Sequence, residues 1–545
     1  MSTATADDDA LPSTIRIISL NCWGLKYIST HRHARLVEIG HQIASASPTP
    51  NIVGLQECWT QEDFLAIREI TKHILPYGKF FWSGCFGGGL AILSKWKFEE
   101  TGLWKFSLNG RPSAFWRGDW FVGKGVGCAR IRIPGEAEGE EEEEERDGER
   151  GGEKGMVVEV FVTHLHAPYE KEPNDTYLCH RTAQAWEIAK LMRHARERGH
   201  MVIGLGDFNM VPGSLAHRII EAHGGGVRDV WKIAFPDSME GSAESEVEKN
   251  KGRKTPTAKE CLDLHGATCD SKFNTWRWSE EMRKALHKGK EVTETDPEEE
   301  DGKAKRLDYI FFADAHSPTS STPTTTHNTE RSSKEYAGYE WIPTDLQVGM
   351  RMRHPVLKCS LSDHFSIETT LVRKPRTSTS SFPPSPPTKT TPLPLQTYLE
   401  IASLTTSYIA RERHQRKWRI AHFFLSFSTS LACSIAIWWS PRNFVAFLLL
   451  LLSTLGLSAG VIDGLIGLLF VGSEMRALKE FEFEVENAAE WARGWEEKMK
   501  AKQGGGGGSG GDGSSGRRTR EEGSLLLLQS EITDRVEMQK ETRGR

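Results

Sequence analysis

Residues 201–214 read MVIGLGDFNMVPGS, an apolar run that ends on an acid, an aromatic and an amide and then turns on Pro212 and Gly213. Asp and Asn are poor strand formers, so Asp207 and Asn209 add nothing to the strand that they terminate. Both are suited to gripping a ligand at a sheet edge. The same device recurs along the chain. Asn21 ends a run in LNCWGL, Glu57 in GLQECW, and His164 and His166 in FVTHLHAPY. Asp308 lies within RLDYIFF, and Asp363 and His364 stand just before the strand-like end of LSDHFSIE. Carboxylates and amides gathered at strand ends supply hard oxygen ligands for a cation such as Mg²⁺, and the imidazoles supply a proton acceptor of suitable pKa.

Around these sites, IRIISL, NIVGL, GLAILS, GCARIRI, VVEVFVTHL, MVIGL, RLDYIFF and HFSIETTLV read as strands. HARLVEIGHQIAS and TAQAWEIAKLMRHARERG carry apolar residues at helical spacing. Strands and helices mix without a strict βαβ rhythm, which predicts an α+β fold of two packed sheets flanked by helices. Three stretches read as loop insertions: the acidic run at about 135–155, the polar segment at about 236–305, and a Ser/Thr run at about 314–335. The expected organisation is a disordered 1–14, a globular 15–373 and a Pro/Ser/Thr-rich linker with juxtamembrane segment over 374–410. A charged, Gly-rich and partly disordered tail covers 473–545.

Beyond the linker the character of the chain changes. Residues 420–439 and 444–472 hold two apolar runs long enough to span a bilayer, separated by SPRN. Arg411, Arg413, Arg416, Lys417 and Arg419 crowd the near side of the first run, whereas the join holds Arg442 alone. The positive-inside rule then predicts a hairpin with both ends in the cytosol. The same cluster would attract anionic phospholipid, at about 1 kcal/mol per charge. Asp463 reads either as the end of the second run or as an acid paired within the bilayer. The expected location is the cytosolic face of an internal membrane, the endoplasmic reticulum or another such as the mitochondrial outer membrane.

A net charge of −5 gives no support for nucleic-acid binding. Nine scattered cysteines without a CxxC pair argue against a disulfide framework or a CxxC zinc site. The acidic, polar start contains no signal-peptide pattern. GDWFVGKGVG is glycine-rich but lacks GxxxxGK[ST], so it is not read as a nucleotide-binding loop. His31, His33 and His166 read as packing or surface residues. Trp23, Trp59, Trp116 and Trp120 read as core aromatics or as a lipid-facing rim.

In their order, LNCWGL, LQECW, GDFN, LDY and SDH resemble the endonuclease/exonuclease/phosphatase superfamily. Within it, NGRPSAFWRGDWFVGKGVG, VTHLHAPY and YLCHRTAQAWEIAKL are similar to the neutral sphingomyelinases, most of all the fungal inositol phosphosphingolipid phospholipases C. The resemblance implies a four-layer αββα sandwich followed by a transmembrane hairpin. It implies a phosphodiesterase acting on phosphosphingolipid at a membrane, with Mg²⁺ as cofactor and Mn²⁺ as an alternative. Glu57 would be the principal metal ligand, with Asn21 beside it and Asp363 completing the metal or water shell. His364 would be the general base, oriented by Asp308. Asp207 and Asn209 would position water and phosphoryl oxygens, and His164 would donate to the phosphate. Asp119 and Lys124 would form a switch or substrate-recognition pair. Whether Asp207 or His364 takes the proton stays open, since such neighbours titrate together. A same-fold nuclease, an inositol-polyphosphate phosphatase and a non-catalytic lipid-binding protein are the alternatives; oligomeric state is not legible.

Overall fold

The computed structural model of the chain describes residues 11–134, 155–170, 175–288, 290, 294–315, 339–376 and 392–504. The expected acidic insertion and the Ser/Thr run fall almost wholly outside them. The chain divides into two compact units, the first formed by Met1–Asn109, Phe121–Asp175 and Gln184–Thr390.

The first unit contains β1 (Thr14–Asn21), β2 (Ile52–Gln56), β3 (Tyr77–Phe81), β4 (Leu90–Ser94), β5 (Phe98–Lys105) and β6 (Gly125–Ile133). It continues with β7 (Met156–His164), β8 (Met201–Asp207), β9 (Arg228–Asp229), β10 (Asp308–Ala313), β11 (Tyr339–Gly349) and β12 (Ser366–Pro375). These form two six-stranded mixed sheets, ordered β11-β12-β1-β2-β4-β3 and β5-β6-β7-β8-β10-β9. Alternation along the strands builds the layers. Ile15 and Ile17 of β1, Ile52 of β2 and Leu90 and Ile92 of β4 join Val158, Val160, Ile203 and Leu205 in the core between the sheets. Ile18, Leu20, Val53, Leu55, Ala91 and Leu93 point the other way, into a second cluster with Leu36, Ile39 and Ile43 of α1 (Arg32–Ala44) and Phe64 and Ile67 of α2 (Gln61–Thr71). The sheets meet closely at Gly54, where a Cβ would lie 2.8 Å from Leu205 Cδ1.

Every expected strand forms. The strands that the sequence reading lacks are β3, β5, β9 and β11, the four sheet edges. Edges tolerate residues that central strands reject. β11 carries Pro343 and a register shift between Thr344 and Gln347, with Asp345 at φ 48°.

The polar segment 236–305 corrects an expectation. Its described residues are folded and form short helices. After α3 (Asp119–Val122), α4 (Leu178–Glu197), α5 (Leu215–His223) and α6 (Val230–Ala234), this segment forms α7 (Glu246–Asn250), α8 (Ala258–Asp263) and α9 (Glu280–His287). Caps account for the short helices: Thr257 and Glu260 make a reciprocal capping box, and the Ser245 and Ser279 side chains accept from Glu248 N and Met282 N.

Arg306, in the approach to β10, donates to both carboxylate oxygens of Asp229 at 2.8 and 2.7 Å, and His217 Nε2 lies 3.1 Å from Asp229 Oδ2. Burial alone would raise the Asp229 pKa, but Arg306 and His217 outweigh it and hold the group down to about 2. A pKa below the unfolded value of about 3.9 stabilises the fold at neutral pH, and that contribution disappears as pH falls from about 4 towards 2. Arg306→Met is therefore expected to cost about 3–5 kcal/mol by stranding a buried charge. In denaturant titrations of detergent-solubilised protein, the variant should also show a shallower acid-dependent loss of stability between pH 4 and 2 than the wild type, with Glu159, likewise held at about 2, supplying the remainder.

The second unit comprises Gly110–Trp120, Thr176–Ala183 and Thr391–Arg545. Its helices span Leu395–Ala436, Asn443–Leu465 and Val471–Gly504, with a π-helical turn at Ile466–Phe470. Residues 395–410 and 473–504, expected as linker and tail, are thus helical; 377–391 and 505–545 lie outside the described residues. Two of these helices are long and apolar enough to cross a membrane, and about 11% of each apolar window is buried. Small residues let them approach: a Cβ on Gly460 would lie 2.4 Å from Ser426 Cβ, and Ser430 and Ser453 share a hydrogen bond of 2.7 Å. Asp463 is paired, Oδ1 with Arg419 and Oδ2 with His422 Nδ1 at 2.7 Å.

Candidate active site

Strand direction explains why remote residues converge. β1 runs parallel to β2, and β7 to β8, so Asn21, Glu57, His164 and Asp207 leave strands at one end of the sandwich. β10 and β12 run antiparallel to β8 and β1, so Asp308 and the Asp363–His364 pair enter their strands at that same end. Register makes this concrete, since Asp207 sits opposite both His164 and Asp308.

Asp207 Oδ2 is the hub. It lies 3.0 Å from Asn21 Nδ2, 3.4 Å from Asn209 Nδ2, 3.5 Å from His164 Nε2 and 3.9 Å from His364 Nε2. Glu57 Oε1 accepts from Asn21 Nδ2 at 3.1 Å and lies 4.0 Å from His164 Nε2. On the far side of the imidazole, His364 Nδ1 meets Asp308 Oδ2 at 2.8 Å, which leaves Nε2 facing Asp207. Asn209 fixes the hub: its backbone N–H donates to Asp207 Oδ1 at 2.9 Å, while its side chain reaches Leu165 O at 3.1 Å.

Two loops hold non-glycine residues in the left-handed region, Glu57 at φ 52° and Asn209 at φ 45°. Asn tolerates this conformation and Glu does so at a cost. Glycines hold Glu57 there. A Cβ on Gly24 would lie 2.4 Å from Glu57 O, and one on Gly89 would lie 3.0 Å from Glu57 Cα. Buried Arg35 ties the surrounding turns together by donating to Cys22 O at 3.2 Å, Trp23 O at 2.8 Å and Leu361 O at 2.6 Å.

The electrostatics are those of crowded acids. Burial, with Asp308 adding repulsion, raises Asp207 to about 7. Burial also brings Asp363 to about 6, with Glu57 adding to the rise and His364 opposing it. Burial opposes charge on His364, yet Cys269, Asp308 and Asp207 push its pKa well above the ordinary histidine value. Burial, Lys124 and His364 push His164 well below that value. Asp207, Asp308 and His364 each present a ligand atom, all within 4.8 Å of one another, and can hold a metal ion. This trio differs from the set Glu57, Asn21 and Asp363 drawn from the resemblance. Asn21 turns its amide nitrogen to the carboxylates, and its Oδ1 accepts from Trp23 N at 3.0 Å.

Lys124 Nζ donates to the carbonyls of His164 at 3.3 Å and Leu165 at 3.1 Å. Asp119 and the five basic residues belong to the second unit. Of those five, Arg413 and Lys417 are exposed. Arg411 stacks over Tyr408 at 4.7 Å, and Arg419 is engaged with Asp463.

Sequence reading missed three positioning residues. Ser362 Oγ donates to Asn21 O at 2.6 Å. Thr268 Oγ1 accepts from Leu307 N and Asp308 N at 3.2 and 3.3 Å, and its carbonyl accepts from Phe365 N at 2.8 Å. Cys269 bridges to His364 and Lys305. The supposed insertion thus clamps the two strands that carry Asp308 and His364. No signal in GATCDSK announces this. Thr268→Val should leave secondary structure intact and lower turnover about tenfold by loosening the Asp308–His364 geometry. Circular dichroism and steady-state rates measure the two effects.

The endonuclease/exonuclease/phosphatase family matches residues 18–364. The inositol phosphosphingolipids phospholipase C of Schizosaccharomyces pombe is 36% identical over 490 residues, 90% of this chain and 95% of that protein. The Saccharomyces cerevisiae protein of the same name is 30% identical over 519 residues, 89% of this chain and 92% of its own length. Sphingomyelin phosphodiesterase 2 of Homo sapiens is 35% identical over 201 residues, 37% of this chain and 42% of that protein.

Proposed function

The chain belongs to the endonuclease/exonuclease/phosphatase family, in the branch of the inositol phosphosphingolipid phospholipases C and neutral sphingomyelinases, and on that premise we propose that this phosphoric diester hydrolase cleaves phosphosphingolipids at a membrane surface. The products would be ceramide and a phosphorylated head group. The observation that carries the reading is the convergence on Asp207 Oδ2 of Asn21, Asn209 and His164, with the Asp308–His364 pair on its open side.

The donor set fits a hard divalent cation. Glu57, Asp207, Asp308 and Asp363 supply carboxylate oxygens, and two of these carboxyls have pKa values raised by burial and mutual repulsion, a surplus that a cation relieves. Glu57 and Asp363, whose charges already act on one another, would hold it, which leaves Asp308 to the His364 ring, and magnesium suits ligands of this hardness. When bound, the ion neutralises negative charge that develops on the phosphoryl oxygens.

The chain's own groups do the rest. Asp308 fixes the His364 ring, so the Asp207 Oδ2–His364 Nε2 pair can exchange the proton of an attacking water as one coupled unit. Asn209 and Asn21 hold Asp207 in place through their amide N–H groups. His164, held neutral, offers a ring N–H to the phosphate without adding a cation to the site.

The two apolar helices would anchor the protein as a hairpin, with both ends cytosolic by the bias of Arg and Lys at 411–419. An anchored enzyme meets a two-chain lipid at high effective concentration. The test offers the purified protein inositol phosphosphingolipid, sphingomyelin, plasmid DNA and soluble inositol phosphates, with and without chelator. Ceramide and a phosphorylated head group should form in the first two arms only, and only without chelator. Cleavage of DNA or of soluble inositol phosphates, with the lipids untouched, would overturn the reading.

A further inference from the structure

A cavity of about 540 Å³ opens in the first unit between the Thr30–His31 turn, the α9 region and the turn at Leu357–Cys359. Part of its lining is apolar. Trp276 is pinned by its ring N–H to Ser360 O at 2.9 Å and by its backbone N–H to Asn274 Oδ1 at 3.0 Å. Leu286, Leu357 and Cys359 complete that part. The rim is cationic. Arg283, Lys284 and Lys288 line it against one acid, Glu280, which pairs with Lys284 at 2.7 Å. The lining therefore carries three cations against one acid, and Lys288 and Arg283 contribute the excess positive charge beside apolar residues.

A solvated helix face would spread its cations over a convex surface. Here they line a concave space that also includes Trp276, of a volume that suits a small organic ligand. Like charges held together repel, and an anion placed between them relieves the repulsion. Arg and Lys are well suited to phosphate, and the apolar lining takes hydrocarbon. The cavity also touches the catalytic framework, since the Trp276 ring packs against that of Trp23, two residues beyond Asn21, with centroids 4.7 Å apart and planes tilted by 59°.

We infer that this cavity is a second ligand site, taking an amphiphile with a phosphate-bearing anionic head: head on Arg283 and Lys288, chain against Trp276 and Leu357. The shared chemistry is phosphate, whether it comes on a lipid or free.

The test is equilibrium binding to the full-length protein in non-ionic detergent, using short-chain phosphatidic acid, phosphatidylcholine of equal chain length, and inorganic phosphate. Phosphatidic acid should bind at least tenfold more tightly than either of the others. Arg283→Glu/Lys288→Glu should weaken it at least tenfold, and the exposed side chains make an unchanged melting temperature the expected companion result. Arg413→Glu/Lys417→Glu, which reverses charge on the long helix instead, should leave this affinity within twofold. Equal binding by the cavity variant and the wild type overturns the site. Phosphate binding as tight as phosphatidic acid overturns the part assigned to the apolar lining. Loss only in the Arg413/Lys417 variant moves the ligand to the helix and overturns the inference. Binding is read without turnover, so this outcome is separate from the hydrolytic reading.

Discussion

His364→Ala is expected to lower ceramide release by about 10²–10⁴-fold, the usual contribution of a positioned acid–base group. The ring is nearly buried, so the substitution opens a small polar gap beside Asp308 without removing any strand pairing. Secondary structure should therefore stay close to wild type, whereas the melting temperature should fall, because buried Asp308 loses the imidazole partner held at 2.8 Å. Asp207→Asn should fall by a comparable factor if the two share the proton as proposed, because Oδ2 faces His364 Nε2 at 3.9 Å. The double variant gives the sharper test. If the pair acts as a unit, the combined loss should be close to the larger single loss and far below the product of the two. Multiplicative losses would mean that the two groups act independently. Asp308→Asn should be milder. It keeps a partner for Nδ1 but withdraws the charge that favours the imidazolium, which should shift the acid limb of the pH–rate profile to lower pH.

Glu57→Ala is expected to cost activity and to spare the fold. Its carboxylate is one of four in the site, so its removal should weaken metal binding and lower turnover by at least about 10²-fold at limiting magnesium. High magnesium should restore part of that rate if the remaining carboxylates still hold the ion. Thermal stability should not fall and is expected to rise slightly. The substitution removes a repelling charge near Asp363. Such an opposition between activity and stability is characteristic of functional positions. A Glu57→Ala protein with unaltered magnesium dependence would remove Glu57 from the metal site.

The contrast between what the sequence disclosed and what it concealed has physical causes. Central strands are apolar on both faces or strictly alternating, so all eight expected strands were visible. The four edge strands were not, because Pro343 in β11, the FEETGLWK run of β5 and the two-residue β9 answer to solvent as much as to a core. The site residues were legible for a related reason: Asp207, Glu57 and His164 interrupt apolar runs where stability alone would place an apolar residue. Thr268, Cys269 and Ser362 act through the backbone geometry that they impose, and neither spacing nor polarity marks them. The segment 236–305 misled because its helices are short and held by caps, with little amphipathic length to reveal them. The placement of Gly110–Trp120 and Thr176–Ala183 in the second unit also escapes sequence, since contacts more than 200 residues apart leave no periodic trace; Tyr408 Oη, for example, donates to Thr176 O at 2.7 Å.

The most direct measurement follows oxygen from the solvent. Hydrolysis of a defined phosphosphingolipid in H₂¹⁸O, with magnesium present, should deliver the heavy atom to the phosphorylated head group and leave ceramide unlabelled, because the attacking water bonds to phosphorus. Label in ceramide, or label transfer that persists at full rate in His364→Ala and Glu57→Ala proteins, would contradict the account.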